Sequence, residues 1–244
     1  MDNPGTFKFP VAFRDVHYVA LLYKANLSAV HKLLDSTGFK PALFMMRSPL
    51  VALGLIQYKD SDLGAYNEII LAIPVVPETC NQSTISNWLD LYAPFTRKKG
   101  GQYIIHIPVT TQLSVDAGVK CWGYPKTVMP INHHFEGHRL ESTLKDKDDS
   151  ILLKTSGNLG VGLSIPSMNL MTYSFLDGKT VKTTVDVDAA MKWHPFADIR
   201  ISVSNTNHPI VQTILDLGLV GRKPSLAISA PHFAAKFHAP TRMS

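Results

Sequence analysis

The chain has 244 residues, of which 45% are hydrophobic and 18% are charged, a composition typical of a folded globular protein and not of a disordered one. The formal net charge is +5, but lysine and arginine are dispersed and their densest run is Arg97-Lys98-Lys99, which argues against a nucleic-acid partner. Two widely spaced cysteines, Cys80 and Cys121, form neither a disulfide framework nor a zinc-finger pattern.

The first residues lack the charged and then apolar pattern of a signal peptide. The most apolar stretch, from Pro41 to Ile56, is interrupted by Arg47-Ser48-Pro49, which argues against a membrane span. We therefore expect a cytoplasmic protein without a membrane partner. No linker or internal repeat divides the chain, so we expect a single domain over residues 1–244.

Short apolar runs separated by Gly, Pro, Asn and Asp predict an α+β protein with a largely antiparallel sheet and a few helices. The predicted strands are Tyr18–Tyr23, Val51–Tyr58, Asn67–Val75, Tyr103–Pro108, Arg139–Leu144, Ile151–Ser156, Asn169–Phe175, Thr180–Val187 and Ile199–Val203. The charged turn Asp146–Asp149 and the Asp-Gly turn Leu176–Lys179 each predict a hairpin.

Three helices are predicted between these strands. The first spans Leu27–Ser36, with Asn26 as the capping residue before it. The second runs from about Thr111 to Gly118, and the third covers Pro209–Leu217 and ends before a glycine.

One lysine is placed in unusual surroundings by the sequence. Gly123-Tyr124-Pro125 predicts a kink that delivers Lys126, and Trp122, Tyr124, Val128 and Met129 surround that lysine with apolar bulk. From the residues alone, such a lysine either extends along apolar surface to water, which is the commoner case, or has a function.

Two sequence blocks resemble the acetoacetate decarboxylase family. Gly123-Tyr124-Pro125-Lys126 is similar to the family's Gly/Ala-aromatic-Pro-Lys signature, whose lysine forms an imine with the substrate ketone. The segment Ser61–Glu68 is similar to its Ser-x-x-Gly-x-Tyr-x-Glu block, which ends in an active-site glutamate. The resemblance extends over nearly the whole chain, with the blocks in the expected order.

The resemblance implies a mainly antiparallel sheet that closes into a cone-like β-barrel with peripheral helices, and it implies a homo-oligomer. It also implies Lys126 and Glu68 as catalytic residues. The alternative for Glu68 is a carboxylate without a catalytic role, whose hydrogen bonds are satisfied at the end of a strand. Substrate contacts are expected from Arg14, Tyr66, Trp122, Tyr124, Met129 and His106.

Three charged residues of the family have no counterpart here. The second lysine of the family falls on Thr127, the early-strand arginine on Val16, and an additional acidic residue on Leu53. Arg14 is a candidate substitute for that arginine, because residues 14 and 16 share one face of a regular strand.

Imine formation requires a neutral amine, and we expect burial by Trp122, Tyr124 and Met129 to favour that form of Lys126. A protonated imine is an electron sink, so the neighbouring acids and bases decide which bond breaks. Since the cations that would hold a carboxylate are missing, we expect a substrate larger or less charged than acetoacetate.

The leading hypothesis is therefore an imine-forming lyase, decarboxylase-like and without a cofactor, acting on a small-molecule carbonyl or keto acid. The first alternative is an enzyme of the same fold that catalyses aldol, dehydration or cyclisation chemistry on a natural-product intermediate. The second alternative is a non-catalytic protein that binds a carbonyl ligand.

Several histidines have competing interpretations. His106 is predicted either as a satisfied core histidine or as a proton-transfer residue. His133, His134, Glu136 and His138 have a metal-like composition, but His133 and His134 would point to opposite faces of a strand. We therefore expect a polar hairpin surface there and no metal site.

Overall fold

The computed structural model describes residues 8–44, 48–81, 83–204 and 206–243. Within these residues there are four helices and sixteen strands. Their bounds are β1 Val11–Lys24, α1 Leu27–Leu34, β2 Phe39–Pro41, β3 Leu50–Ser61, β4 Tyr66–Pro77, α2 Thr84–Asp90, β5 Gly101–Val109, α3 Gln112–Trp122, β6 Lys126–Val128, β7 Ile131–Glu136, β8 Arg139–Lys145, β9 Ile151–Asn158, β10 Leu163–Ile165, β11 Leu170–Leu176, β12 Lys179–Ala189, β13 Met191–Trp193, β14 Asp198–Val203, α4 Pro209–Asp216, β15 Leu226–Phe237 and β16 Thr241–Arg242.

Seven of the described strands close into a barrel in the order β15-β1-β3-β4-β5-β11-β12, and β12 pairs back onto β15. Neighbouring strands of the barrel are antiparallel except for β5 and β11, which run parallel. This arrangement confirms the predicted α+β fold, in which a mainly antiparallel sheet closes into a barrel with helices around it.

A second sheet, in the order β14-β9-β8-β7, covers the outside of the barrel wall formed by β1, β3 and β4. Leu21, Leu53 and Leu71 of the wall belong to one buried cluster with Leu144 and Leu153 of the second sheet. Because successive strand residues alternate between faces, the wall presents a different set of side chains to the barrel interior.

The predicted elements are all present, and the structure extends most of them. It also contains strands that the sequence did not predict, of which β15 is the most important because it closes the barrel. Pro231 lies within β15, and a proline in an apolar run argues against a central strand. Helix α3 continues to Trp122, so the prediction that it ends near Gly118 was wrong.

The prediction of a purely polar hairpin around His133 was also wrong. Strands β7 and β8 do form a hairpin, but the His133 side chain is buried whereas His134 is exposed. None of the helices in the described part of the chain has both the length and the apolar character that a helix crossing a bilayer needs.

Candidate active site

The hairpin of β3 and β4 carries the acidic side of the site. Tyr58 lies directly across from Tyr66 in this hairpin, and their rings stack with centroids 4.2 Å apart. Glu68 is two residues further along β4 and therefore points to the same interior face. The Tyr58 hydroxyl donates a hydrogen bond to Glu68 Oε1 at 3.0 Å.

Helix α3 and strand β6 carry the lysine. Thr111 caps the start of α3, and Gly123 ends the helix with a φ of 64°, a conformation that favours glycine. The chain then turns through Tyr124 and Pro125 into β6, which runs parallel to β5 and places Lys126 beside Ile107. This pairing fixes the Lys126 backbone at the barrel wall.

Two glycines make room for this arrangement. A Cβ atom at Gly118 would lie 2.4 Å from Lys126 Cδ, so the glycine within α3 leaves the space through which the lysine stem passes. A Cβ atom at Gly123 would lie 1.9 Å from the Phe175 carbonyl oxygen, so the end of the helix approaches β11 as only glycine allows.

The amine of Lys126 contacts both sides of the site. Its Nζ atom donates to Glu68 Oε2 at 2.6 Å and to Ser114 Oγ at 2.9 Å, and it lies 5.5 Å from the centre of the Tyr66 ring. The side chains of Lys126 and Glu68 are only 7% and 3% exposed. The two charges are therefore shielded from bulk water and held together.

The tyrosines around Glu68 stay protonated. Burial, reinforced by the negative charge of Glu68, raises the pKa of Tyr58 and of Tyr66 well above the ordinary value of 10. A protonated Tyr58 can only donate to the carboxylate, which fixes the orientation of Glu68 and leaves Oε2 directed at the amine.

The amine and the carboxylate open onto a cavity of about 430 Å³ inside the barrel. That volume lies in the range typical of small-molecule sites, which are mostly apolar with a few placed polar groups. Of the described residues that line it, Lys126 and Glu68 are the charged ones. Tyr66, Trp122 and Tyr124, from which the sequence analysis expects substrate contacts, also line the cavity.

Hydrogen bonds fix the aromatic wall next to Lys126. The Trp122 indole nitrogen donates to the His238 carbonyl oxygen at 2.9 Å, and the Tyr124 and Thr172 hydroxyls are 2.6 Å apart. The rings of Trp122 and Tyr124 stack with centroids 5.8 Å apart. Burial raises the pKa of Tyr124 to about 12, so its hydroxyl remains neutral.

Three of the predicted substrate-binding residues lie outside the cavity. Arg14 is half exposed and pairs with Asp60 and Asp62 on the surface. His106 faces α4, where its Nε2 lies 3.0 Å from the Thr213 hydroxyl, and Met129 packs into the cluster between barrel and second sheet. Their positions give no support to direct substrate contact. The predicted residues that do line the cavity are Lys126, Glu68, Tyr66, Trp122 and Tyr124.

The structure also locates the positions where family charges are missing. Val16 is fully buried, Thr127 is exposed, and Leu53 lies on the outer face of β3 against the second sheet. None of these three lines the cavity. Among the described residues, Lys126 is therefore the only cation that lines the cavity.

His133 supports the site from outside the barrel. Its Nε2 lies 3.2 Å from the Glu68 carbonyl oxygen and its Nδ1 lies 2.9 Å from the Ser142 hydroxyl. Since a carbonyl only accepts, Nε2 carries the hydrogen and Nδ1 accepts from Ser142. Within the described ranges, no group of three or more His, Cys, Asp or Glu side chains is placed to hold a metal ion.

Sequence reasoning missed two residues of the site. Tyr58 could have been found by pairing the two predicted strands across the turn, which sets it opposite Tyr66. Ser114 contacts Lys126 only because the chain reverses between α3 and β6, and no spacing in the sequence indicates that contact.

Three solved structures share this architecture and are distant in sequence. The acetoacetate decarboxylase from Legionella pneumophila matches with a TM-score of 0.72 and 13% identity, over 100% of this chain and 92% of that one. A second acetoacetate decarboxylase structure gives a TM-score of 0.71 and 14% identity, over 99% of this chain and 95% of that one. At these identities the likeness shows the fold.

A third similar structure is the enduracididine biosynthesis enzyme MppR, complexed with the condensation product of pyruvate and imidazole 4-carboxaldehyde. It matches with a TM-score of 0.66 and 11% identity, over 98% of this chain and 91% of that one. A search of curated protein sequences gives no significant match.

The chain thus shares its barrel fold with two acetoacetate decarboxylases and with the biosynthesis enzyme MppR. The family model for acetoacetate decarboxylase matches residues 2–191, which is most of the chain. The chain therefore belongs to the acetoacetate decarboxylase family.

Proposed function

We propose that this protein is an imine-forming lyase in which Lys126 condenses with the carbonyl group of a small-molecule substrate. The observation that carries the proposal is a lysine whose side chain is only 7% exposed, which lines a cavity and whose amine contacts a carboxylate at 2.6 Å. Membership of a family of enzymes, and the solved enzymes that share the fold, support a catalytic role.

Glu68 serves as the proton carrier in this proposal. When a carbonyl compound enters, Glu68 takes a proton from the Lys126 ammonium, and the neutral nitrogen attacks the carbonyl carbon. A proton then moves from the attacking nitrogen to the former carbonyl oxygen, which gives the neutral carbinolamine. Glu68 returns its proton to the carbinolamine hydroxyl, which leaves as water and gives the protonated imine. The hydrogen bond from Tyr58 keeps the carboxylate oriented toward the amine throughout.

The protonated imine then accepts an electron pair from a bond to the neighbouring carbon. In a β-keto acid, carbon dioxide leaves and an enamine forms, which is protonated on carbon and hydrolysed to free Lys126. This decarboxylase-like reaction is the leading form of the proposal, and it needs no organic cofactor.

One observation favours the aldol, dehydration or cyclisation alternative. Among the described residues that line the cavity, Lys126 is the only cation, and its amine is already paired with Glu68. A substrate carboxylate would therefore be buried without a partner of opposite charge. The solved structure of MppR with a pyruvate condensation product shows that the same fold accommodates condensation products in another enzyme.

Reductive trapping tests the proposal directly. The protein is incubated with a panel of ketones and keto acids, borohydride is added, and the adduct is mapped by mass spectrometry. We expect an adduct of one substrate on Lys126 and none on Lys126→Gln. The control variant Lys120→Gln, which removes a neighbouring lysine on α3, should be trapped like the wild type.

A second arm separates catalysis from simple binding. Glu68→Gln keeps the size of the side chain but removes the base, and we expect the rate of adduct formation to fall by roughly a hundredfold or more. Carbon dioxide release then distinguishes decarboxylation from the aldol-type alternative. Ligand binding without any adduct on the wild type would instead identify a carbonyl-binding protein and overturn the proposal.

A further inference from the structure

The cavity extends far beyond the space that Lys126 and Glu68 need. Strand β4 lines it with Glu68, Ile70, Ala72 and Pro74, which are alternate residues of one face. At about 3.3 Å per residue, Glu68 and Pro74 are separated by about 20 Å along the strand. The reactive pair therefore lies near one end of a long interior space.

Small residues keep the middle of this space open. Ala52 pairs with Ala72 across β3 and β4, and Ala20 pairs with Gly54 across β1 and β3, so these four residues are neighbours on the interior face. All four line the cavity. Larger side chains at these four positions would occupy the cavity. On the opposite face of the same strands, larger side chains do fill the space against the second sheet.

The two ends of the cavity differ in exposure. At the end with Lys126, the cavity is lined by Leu63 from the turn between β3 and β4, and Leu63 is only 3% exposed. At the other end the lining includes Trp88 and Tyr92, which are 39% and 50% exposed. Judged from the described residues, the entrance therefore lies at α2, and the amine lies at the closed end.

The chemistry of the lining limits what can fill it. Lys126 and Glu68 neutralise each other, and most other lining side chains are aliphatic or aromatic. Burial of a lone carboxylate in such surroundings is costly, whereas burial of methylene groups is favourable.

From the proposed imine chemistry and this shape, we infer that the substrate is an uncharged carbonyl compound with a long apolar body. Its carbonyl carbon meets Lys126 at the closed end, and its apolar chain runs between Ala20, Ala52, Gly54 and Ala72 toward Trp88 and Tyr92. The inference rests on the proposed imine chemistry of Lys126. Because an uncharged compound has no carboxylate to lose as carbon dioxide, the inference selects the aldol, dehydration or cyclisation form of that proposal over the decarboxylase-like form.

A ketone series tests the inference on the wild-type protein. Acetone and methyl ketones with propyl, hexyl and decyl chains are trapped with borohydride, and the half-saturating concentration for the adduct on Lys126 is measured. We expect it to fall by between twofold and fourfold per added methylene until the cavity is full. Acetoacetate, matched in size to methyl propyl ketone, should need at least tenfold more than that ketone.

The variant Ala72→Leu narrows the middle of the cavity, and Ala239→Leu makes the same change at an exposed position outside the lining. In Ala72→Leu, we expect the hexyl and decyl ketones to lose their advantage over the propyl ketone. In Ala239→Leu, the wild-type dependence on chain length should persist. Thermal unfolding of both variants shows whether they are folded, and the wild-type series remains decisive if Ala72→Leu is not.

The outcomes separate the two proposals. If acetone is trapped on Lys126 but chain length has no effect, or if acetoacetate is trapped at lower concentration than methyl propyl ketone, the substrate class is wrong while the imine chemistry stands. If neither short nor long ketones nor keto acids are trapped on Lys126, the proposed function itself fails.

Discussion

The two faces of the barrel wall are formed by the same strands but have different roles. The outer face of β4 presents Ile69, Leu71 and Ile73, which are at most 2% exposed and pack against the second sheet. The inner face presents Ile70 and Ala72, which line a cavity. Because neighbouring residues alternate between faces, one strand stabilises the fold on one side and leaves space for a ligand on the other.

A matched pair of substitutions tests this division most strongly. Ile69 and Ile70 are adjacent, of the same type, and on opposite faces of β4. We expect Ile69→Ala to lower the free energy of unfolding by about 2–5 kcal/mol, because it leaves a void in a packed core. Ile70→Ala should cost about 1 kcal/mol, because its side chain already borders empty space. Urea unfolding of both variants measures the difference.

Equal losses in the two variants would contradict the division, since they would mean that the interior face is packed as tightly as the exterior. A larger loss for Ile70→Ala would place the main core inside the barrel. Ketone trapping on Ile70→Ala provides a further check, because that variant enlarges the cavity rather than weakening the scaffold.

A methyl group added at Gly118 should lower both reactivity and stability. Gly118→Ala puts a Cβ atom 2.4 Å from the present position of Lys126 Cδ, so the lysine must move. We expect the rate of adduct formation to fall by up to about a hundredfold, since a displacement of about 1 Å suffices for such a loss. The unfolding free energy should fall as well, because moving the lysine breaks its buried contacts with Glu68 and Ser114. The helix preference for alanine over glycine, about 0.5–1 kcal/mol, is too small to offset that loss.

Trapping rates and thermal unfolding on the same Gly118→Ala preparation test that expectation. Unchanged reactivity would contradict it and would mean that the lysine stem has another route. Ala117 is the neighbouring helical position and is fully buried, which makes Ala117→Gly an informative comparison for the stability of α3 alone.

Acid should weaken the contact between the second sheet and β4. Burial lowers the pKa of His133 to about 4 from 6.5, so the folded protein binds fewer protons there than the unfolded chain between these values. The stabilisation is complete above pH 6.5 and is lost as the pH falls toward 4. At pH 5 the cost is about 2 kcal/mol.

Urea unfolding at pH 7.5 and at pH 5 measures this loss, with His133→Gln as the comparison. The variant removes the titrating group and keeps an amide that can hydrogen-bond, so its unfolding free energy should depend less on pH than that of the wild type. His17 stacks on Phe135 and has its pKa lowered to about 4 as well, so part of the acid sensitivity should remain. An identical pH dependence in both proteins would contradict the assignment.

Local patterns predicted much of the fold and the two residues at the centre of the candidate site. Alternation and turn residues sufficed for the strands of the hairpins, and the two motifs led to Lys126 and Glu68, which the structure brings together. Strand β15 was missed because its pairing partners β1 and β12 are distant in sequence, and the pattern around Pro231 does not distinguish a bulged strand from a loop.

The residues that were misplaced lie at irregularities of the strands. Arg14 was expected on the face of position 16, but β1 has register shifts between Phe13 and Val16, and Arg14 turns to the surface. His106 lies beside a shift in the pairing of β4 with β5 and turns toward α4. Such bulges change which side of a sheet a residue faces, and the sequence has no clear signature for them.

The mutual neutralisation of Lys126 and Glu68 has a consequence for how the interior responds to its surroundings. The net charge of the chain is +5, whereas a ligand inside the cavity meets only a buried ion pair without net charge. Dissolved electrolyte screens charges that face water and hardly reaches such a shielded pair. The affinity for an uncharged ligand should therefore be the same in dilute buffer and in concentrated salt, apart from the general effect of salt on apolar solubility.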